Sequence, residues 1–341
     1  MPQTPDPHSS DNQHPFLTPK GLRLQQQGPR VFGGLPLSLP DYPPERPKRD
    51  QRVPAAEVDP FDLSDPGDLP VDNVVPSKRF PRLESLSGTP LREHFKTRLV
   101  SAAHTSPLRA IGKLLIQVSR DRPLELASGS AWISGPSTIV TSAHNLYDSN
   151  TKTWSQALQF YPGYDYYSDR PQPVCRVTSC YLPRRYLKNP ATAYDIAVCH
   201  VDRNIGDIVD TQIPMETIGS HELFDQTPVA IVGYPAGSGF DFGKQMWQSI
   251  GAYLFGRRIA PGEDYSPAMA TSFGAGASGC PWLIQDGPSG RYLAVGVSSG
   301  HAKLSYARGQ PNLMSLTSPF FGQRMFDQLN DDPAFHEFRV A

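Results

Sequence analysis

The sequence predicts an all-β protein of two six-stranded antiparallel β-barrels packed side by side, with a C-terminal helix and a largely disordered N-terminal arm. Three observations carry this. From about residue 107, short runs rich in Val, Ile, Leu, Tyr and Trp recur, each bounded by Gly, Pro, Asn or Asp. The 36 prolines of the 341-residue chain are unevenly placed, and up to roughly Gly88 apolar residues stand singly with neither a 2.0 nor a 3.6 period. Past residue 317 the apolar spacing switches from alternation to steps of three and four.

The arm, residues 1–98, is dominated by Pro, Ser, Asp, Arg and Gln. Such a stretch buries too little apolar surface to offset its conformational entropy, so it is expected to be extended or disordered, with short docked pieces such as Val31–Leu35. Strands follow at about 113–119, 128–134, 137–142, 156–161, 174–181 and 195–201, the first barrel of about 107–202. A loop-rich crossing spans 202–226. The second barrel, about 226–317, takes its strands from 228–233, 245–255, 267–272, 280–284, 292–299 and 311–317. In the closing segment, 318–332, Phe321, Met325, Phe326 and Leu329 fall on one helical face, with Ser318 or Pro319 as the start signal.

Three segments at strand ends carry chemistry. His144 closes Ser137–Val140, Asp195 opens Ile196–Val201, and Ser278 follows 267–272 within Gly276-Ala277-Ser278-Gly279-Cys280-Pro281. A serine hydroxyl is a poor nucleophile at neutral pH; it needs a base to take its proton and a carboxylate to fix that base's tautomer. Each segment alone is an ordinary loop pattern, and the three in order supply all three roles. The N–H groups of Gly276 and Ser278 are the expected oxyanion donors, glycine being needed where a Cβ would turn the amide away. His200 is the poorer base, on the opposite strand face from Asp195. The histidines at 8, 14, 94, 104, 221 and 336 are expected in tails or loops without partners.

These segments resemble the chymotrypsin-fold serine endopeptidases, and within them the glutamyl endopeptidase-like branch. Ile231-Val232-Gly233-Tyr234-Pro235 and Met246-Trp247-Gln248-Ser249 are similar to that branch's Gly-Tyr-Pro and Met-Trp-(Glu/Gln)-Ser strands, and Leu108–Leu114 to the start of its first barrel. The resemblance runs from about Pro107 to Asn330. It implies a chymotrypsin-like, trypsin-like protease domain over 99–341, with His144, Asp195 and Ser278 as catalytic triad and the first ~100 residues as propeptide or regulatory arm. The alternative is a catalytically silent, peptide-binding member of the fold.

By the same resemblance the substrate pocket involves Ser272, Phe273, Ser298, Gly300 and His301. The branch's glutamate-binding histidine and threonine are replaced by Ser298 and Phe273, and Ser272 stands where trypsin-like enzymes carry aspartate. An apolar or small uncharged residue before the scissile bond is therefore expected, not Glu, Arg or Lys. Ala277 stands where trypsin-like zymogens carry the aspartate that pairs with the new N-terminus, so that switch is missing.

Composition excludes other classes. The formal net charge of -1 gives no field to draw nucleic acid or an anionic membrane, and Lys48-Arg49 and Lys78-Arg79 read as solvated charge. No run approaches the ~18 apolar residues of a membrane span. The N-terminus lacks a signal-peptide pattern, so an intracellular protein, or one exported by a non-standard route, is expected. The four cysteines read as small buried hydrophobes, and no spacing suggests a metal or cofactor. The expected partner is a peptide or protein substrate met by a monomer; the proline-rich arm is also suited to docking in a partner protein's aromatic groove.

Overall fold

The computed structural model describes residues 74–76, 95–119, 126–218, 224, 228–251, 253–258, 265–285, 291–304 and 313–338. The readings placed on Val31–Leu35, on the basic pairs and on His8, His14, His94 and His221 fall outside these residues. Two pieces of the expected arm are strands, β1 (Val74–Pro76) and β2 (Phe95–Leu99).

The first barrel comprises β3 (Ile111–Gln117), β4 (Leu126–Gly135), β5 (Thr138–Thr141), β8 (Ala157–Pro162), β9 (Cys175–Pro183) and β10 (Ala197–Val201), with a small hairpin, β6 (Tyr147–Asp148) and β7 (Thr153–Trp154), between β5 and β8. Neighbours run β10-β5-β4-β3-β8-β9, and β9 pairs again with β10, so the ring closes. β3 is bonded along both edges and buried over its whole length. Trp132, Phe160, Leu114 and Ile139 are among the fully buried side chains that fill this barrel.

The second half contributes β11 (Val229–Gly233), β12 (Trp247–Gly251), β13 (Tyr253–Arg258), β14 (Tyr265–Met269), β15 (Pro281–Gln285), β16 (Tyr292–Val297), β17 (Gly300–Leu304) and β18 (Leu313–Thr317). They lie in two sheets; β13 follows β12 in the chain, and β17 follows β16 after Ser298 and Ser299, so at these two places the chain passes from one sheet to the other. Through these two passages the antiparallel pairings form a second ring: β16/β17 to β15, β11, β12/β13, β14, β18 and back to β17.

The arm strands lie on this second ring. β2 pairs with the whole of β12, Trp247↔Leu99 to Gly251↔Phe95, and β1 pairs with β13. The arm boundary expected at residue 98 therefore falls inside a strand. The pairing has a physical cause: β14 covers β13 and leaves one edge of β12 free, and burial alternates over Phe95–Arg98 as suits a strand on that edge.

Two short helices, α1 (Arg184–Lys188) and α2 (Ile205–Val209), lie in connections, α2 within the crossing expected to be loop. The closing helix α3 spans Gln323–Asp331, later than the expected start at 318, and buries Met325, Phe326 and Leu329. Ser318 does not cap it. The Ser318 hydroxyl accepts from the Val297 N–H at 2.9 Å and donates to the Pro319 carbonyl at 2.7 Å, and Gly322 is the N-cap residue. A last strand, β19 (Pro333–Glu337), pairs with β9 of the first barrel. His336, expected in a tail without partners, lies in β19 with its ring stacked on Trp154 at 4.1 Å.

Candidate active site

β5 and β10 are antiparallel neighbours, with Thr141 opposite Ala197, so the turn after β5 and the turn before β10 emerge at the same end of the barrel. The first turn, Ala143–Asn145, carries His144; the second, Thr192–Tyr194, delivers Asp195. The pair meets twice. The His144 N–H donates to Asp195 Oδ1 at 2.9 Å, and His144 Nδ1 lies 2.6 Å from Oδ2. Ser299, between β16 and β17, donates its hydroxyl to the same Oδ2 at 2.5 Å. Burial alone would raise the Asp195 carboxyl, but the adjacent imidazole and the hydrogen bonds from His144 and Ser299 outweigh it and hold the pKa below its ordinary value. Asp195 is a buried carboxylate fixed to one edge of the imidazole.

Ser278 lies in the turn between β14 and β15. Two left-handed glycines shape that turn, Gly276 at φ +80° and Gly279 at φ +85°. A side chain at 276 would put its Cβ 2.7 Å from the Ala236 nitrogen and the Tyr234 carbonyl. The first barrel grips the turn from below: the Ser130 N–H donates to the Ser278 carbonyl at 2.7 Å, the Ser130 hydroxyl donates to the Gly276 carbonyl at 3.1 Å and accepts from the Tyr234 N–H at 3.0 Å, and Asn145 Nδ2 donates to the Ser278 carbonyl at 3.3 Å. Asn145 follows His144 in sequence, so one short turn touches both the carboxylate and the serine turn. Ala277, Gly279 and Cys280 give their N–H groups to backbone carbonyls; among the described residues the N–H groups of Gly276 and Ser278 have no such acceptor.

The residues expected at the substrate pocket are either buried or exposed. Ser298 is fully buried; its hydroxyl accepts from Trp282 Nε1 at 3.0 Å, and its carbonyl takes the Ser142 hydroxyl at 2.5 Å and the Gly279 N–H at 2.8 Å. Phe273 is buried, edge-on to Phe240 at 5.5 Å. Ser272 is exposed and shares a 2.9 Å hydrogen bond with Thr97 of β2. Gly300 and the exposed His301 open β17, opposite Thr317 and Leu316. Ser130, Asn145, Ser299 and Thr97 were not singled out by sequence. Asn145 and Ser299 flank named residues and were within reach of neighbour reasoning; Ser130 and Thr97 owe their roles to long-range pairing.

All four cysteines are free and buried, and burial pushes the thiols up, Cys280 to about 12. Cys180 and Cys199 are direct cross-strand neighbours. Among the described residues no group of three or more His, Cys, Asp or Glu could hold a metal ion, and no helix is long and apolar enough to cross a membrane.

No protein-family model matches the sequence, and no curated protein does. Solved structures do match. A Glu endopeptidase in complex with MPD superposes at a TM-score of 0.51 with 21% identity, over 69% of this chain and 94% of the other. The protease Anisep from Arthrobacter nicotinovorans gives 0.50 with 19% identity, over 69% and 98%. The chain has the chymotrypsin fold. That likeness is one of backbone; within it His144 is bonded to Asp195, and the next residue, Asn145, to the Ser278 carbonyl.

Proposed function

We propose that the protein is a serine endopeptidase. His144 takes the proton of the Ser278 hydroxyl as its oxygen attacks the peptide carbonyl; the tetrahedral oxyanion is held by the N–H groups of Gly276 and Ser278; the imidazolium returns the proton to the leaving amine, and water then hydrolyses the acyl-enzyme by the same route. Asp195 keeps Nδ1 protonated and stabilises the imidazolium. The observation that carries this reading is the 2.6 Å contact of His144 Nδ1 with a buried carboxylate, beside a glycine-shaped serine turn that holds back two N–H groups. Each oxyanion donor is worth about 2.7–4 kcal/mol in the transition state.

Specificity follows from what lines the pocket. Phe273 supplies apolar surface and Ser298 has its hydroxyl engaged by Trp282, so neither offsets the desolvation of a substrate carboxylate. The proposed preference is for an apolar or small uncharged residue before the scissile bond. The test is labelling with a fluorophosphonate followed by hydrolysis of a peptide library. The wild type is expected to be modified on Ser278 and to cleave; Ser278→Ala is expected to do neither, with turnover down by about a million-fold. An unlabelled wild type would overturn the mechanism, and dominant cleavage after Glu would overturn the pocket reading.

A further inference from the structure

On the N-terminal side of the serine turn, the loop between β11 and β12 contains two consecutive non-glycine residues in the left-handed region, Asp241 at φ 51° and Phe242 at φ 55°. That conformation is unfavourable for residues with a Cβ and persists only where the surroundings fix it. Here they do. The Tyr167 hydroxyl donates to Asp241 Oδ2 at 2.5 Å, Lys244 Nζ lies 3.6 Å from Oδ1, and the buried Lys113 ammonium reaches across from the first barrel to donate to the Gly243 carbonyl at 2.9 Å. The Tyr166 N–H closes the loop onto the Lys244 carbonyl at 3.0 Å, and the Lys244 ammonium lies over the Tyr166 and Tyr167 rings at 5.2 and 5.9 Å. The effect of all this anchoring is to hold an exposed aromatic, Phe242 at 46% exposure, on the residue next to the one that binds a second exposed aromatic, Tyr167 at 48%. Core packing does not account for a side chain held in solvent on a costly backbone.

The location does. This loop begins against the oxyanion glycine: the Ala236 N–H donates to the Ala275 carbonyl at 2.6 Å, and Ala236 sits where a Gly276 side chain would go. Residues 298–300 flank the other side of the turn, through Gly279 N–H to Ser298 and Ser298 N–H to Cys280. If the acyl part of a peptide lies along 298–300, its leaving-group residues pass the opposite flank, the side of the loop that carries Phe242; Gly243 of that loop packs by the Tyr234 and Pro235 carbonyls, next to Ala236. We propose that these two rings form a shelf that binds an aromatic or large apolar side chain on the leaving-group side of the scissile bond; this rests on the endopeptidase reading. Asp241 and Lys244 pair with each other, and Asp241 with the Tyr167 hydroxyl, so the charges beside the two rings offset one another.

The test is calorimetric binding to Ser278→Ala of peptides that differ only in carrying Phe or Gly at one of the two residues after the scissile bond. The Phe peptide is expected to bind about fivefold to tenfold tighter, the ratio a well-placed aromatic contact gives. Phe242→Asn, which keeps a residue tolerant of the left-handed backbone, is expected to abolish that preference and leave the Gly peptide unchanged; Tyr167→Phe, which frees Asp241 but keeps the ring, is expected to retain part of it. Equal affinities for the two peptides, or a preference that survives Phe242→Asn, would overturn the shelf. Fluorophosphonate labelling of the otherwise wild-type protein is read separately: its failure alongside an intact Phe preference overturns the protease chemistry and leaves the shelf as a peptide-binding site.

Discussion

Asp195 depends on three donors, and each is a point at which its charge can be released. Its pKa is depressed in the fold, so the stability it contributes is present above the ordinary carboxylate value and is lost as pH falls through the folded one. Ser299→Ala removes the 2.5 Å hydrogen bond to Oδ2. It is expected to cost about 1.5–3 kcal/mol at neutral pH and to move acid unfolding to higher pH, as read by urea denaturation across a pH series. Lys113 gives a slope of the same sign at higher pH, but there the fold disfavours the charged form instead of favouring it. Burial is the main cause lowering its ammonium pKa from 10.5 to about 8, the nearby Lys244 adds to the depression and Asp241 opposes it. The folded chain gives up this proton before the unfolded chain does, so stability is flat below about pH 8 and rises up to about pH 10.5, by roughly 3 kcal/mol. The difference between wild-type and Lys113→Met stability profiles is expected to show that rise; identical slopes would mean Lys113 titrates normally.

At the scale of elements, β2 joins the arm to the site. The Thr97 hydroxyl donates to Ser249 at 3.2 Å and meets Ser272 at 2.9 Å, while Thr271 donates to Ser249 at 2.9 Å, so a strand from outside the expected domain braces the segment leading to the Ser278 turn. Removing residues 1–73 is expected to leave a folded protein, whereas removing 1–100 strips β12 of its edge partner and is expected to lower the melting temperature and hydrolysis together; equal stability of the two truncations would show β2 to be dispensable. Most barrel strands were legible because apolar alternation between turn residues is a local signal. β2 and β19 were not, since five-residue strands docking on distant edges carry no pattern that separates them from loop. The histidine, aspartate and serine turns were readable for the same local reason, each closing or opening a strong strand. Ser130 carries no such local signal, because its bonds to Tyr234 and Gly276 exist only when the two halves meet.

At the scale of the molecule, Ser130 is where the barrels are spliced, one residue bonding Tyr234, Gly276 and Ser278. Ser130→Ala keeps the backbone bond and loses the two made by the hydroxyl. It is expected to cost about 1–3 kcal/mol and to lower turnover by loosening the serine turn, measured as melting temperature and kcat. Unchanged values of both would show that the splice rests on other contacts. The buried Trp132 and Trp282 fall on either side of this junction, so intrinsic fluorescence and activity are expected to be lost in one transition.

The two ends of the chain are strapped crosswise: β2, from before the first barrel, lies on the second, and β19, from after the second, lies on the first. A cut in the crossing would therefore not yield two self-sufficient halves. Each fragment would carry a strand owned by the other, exposing a sticky edge until its counterpart arrived. Such fragments would recombine by trading arms, and a second intact chain whose straps came loose could make the same exchange, turning the device that locks one molecule into a route by which two become entangled.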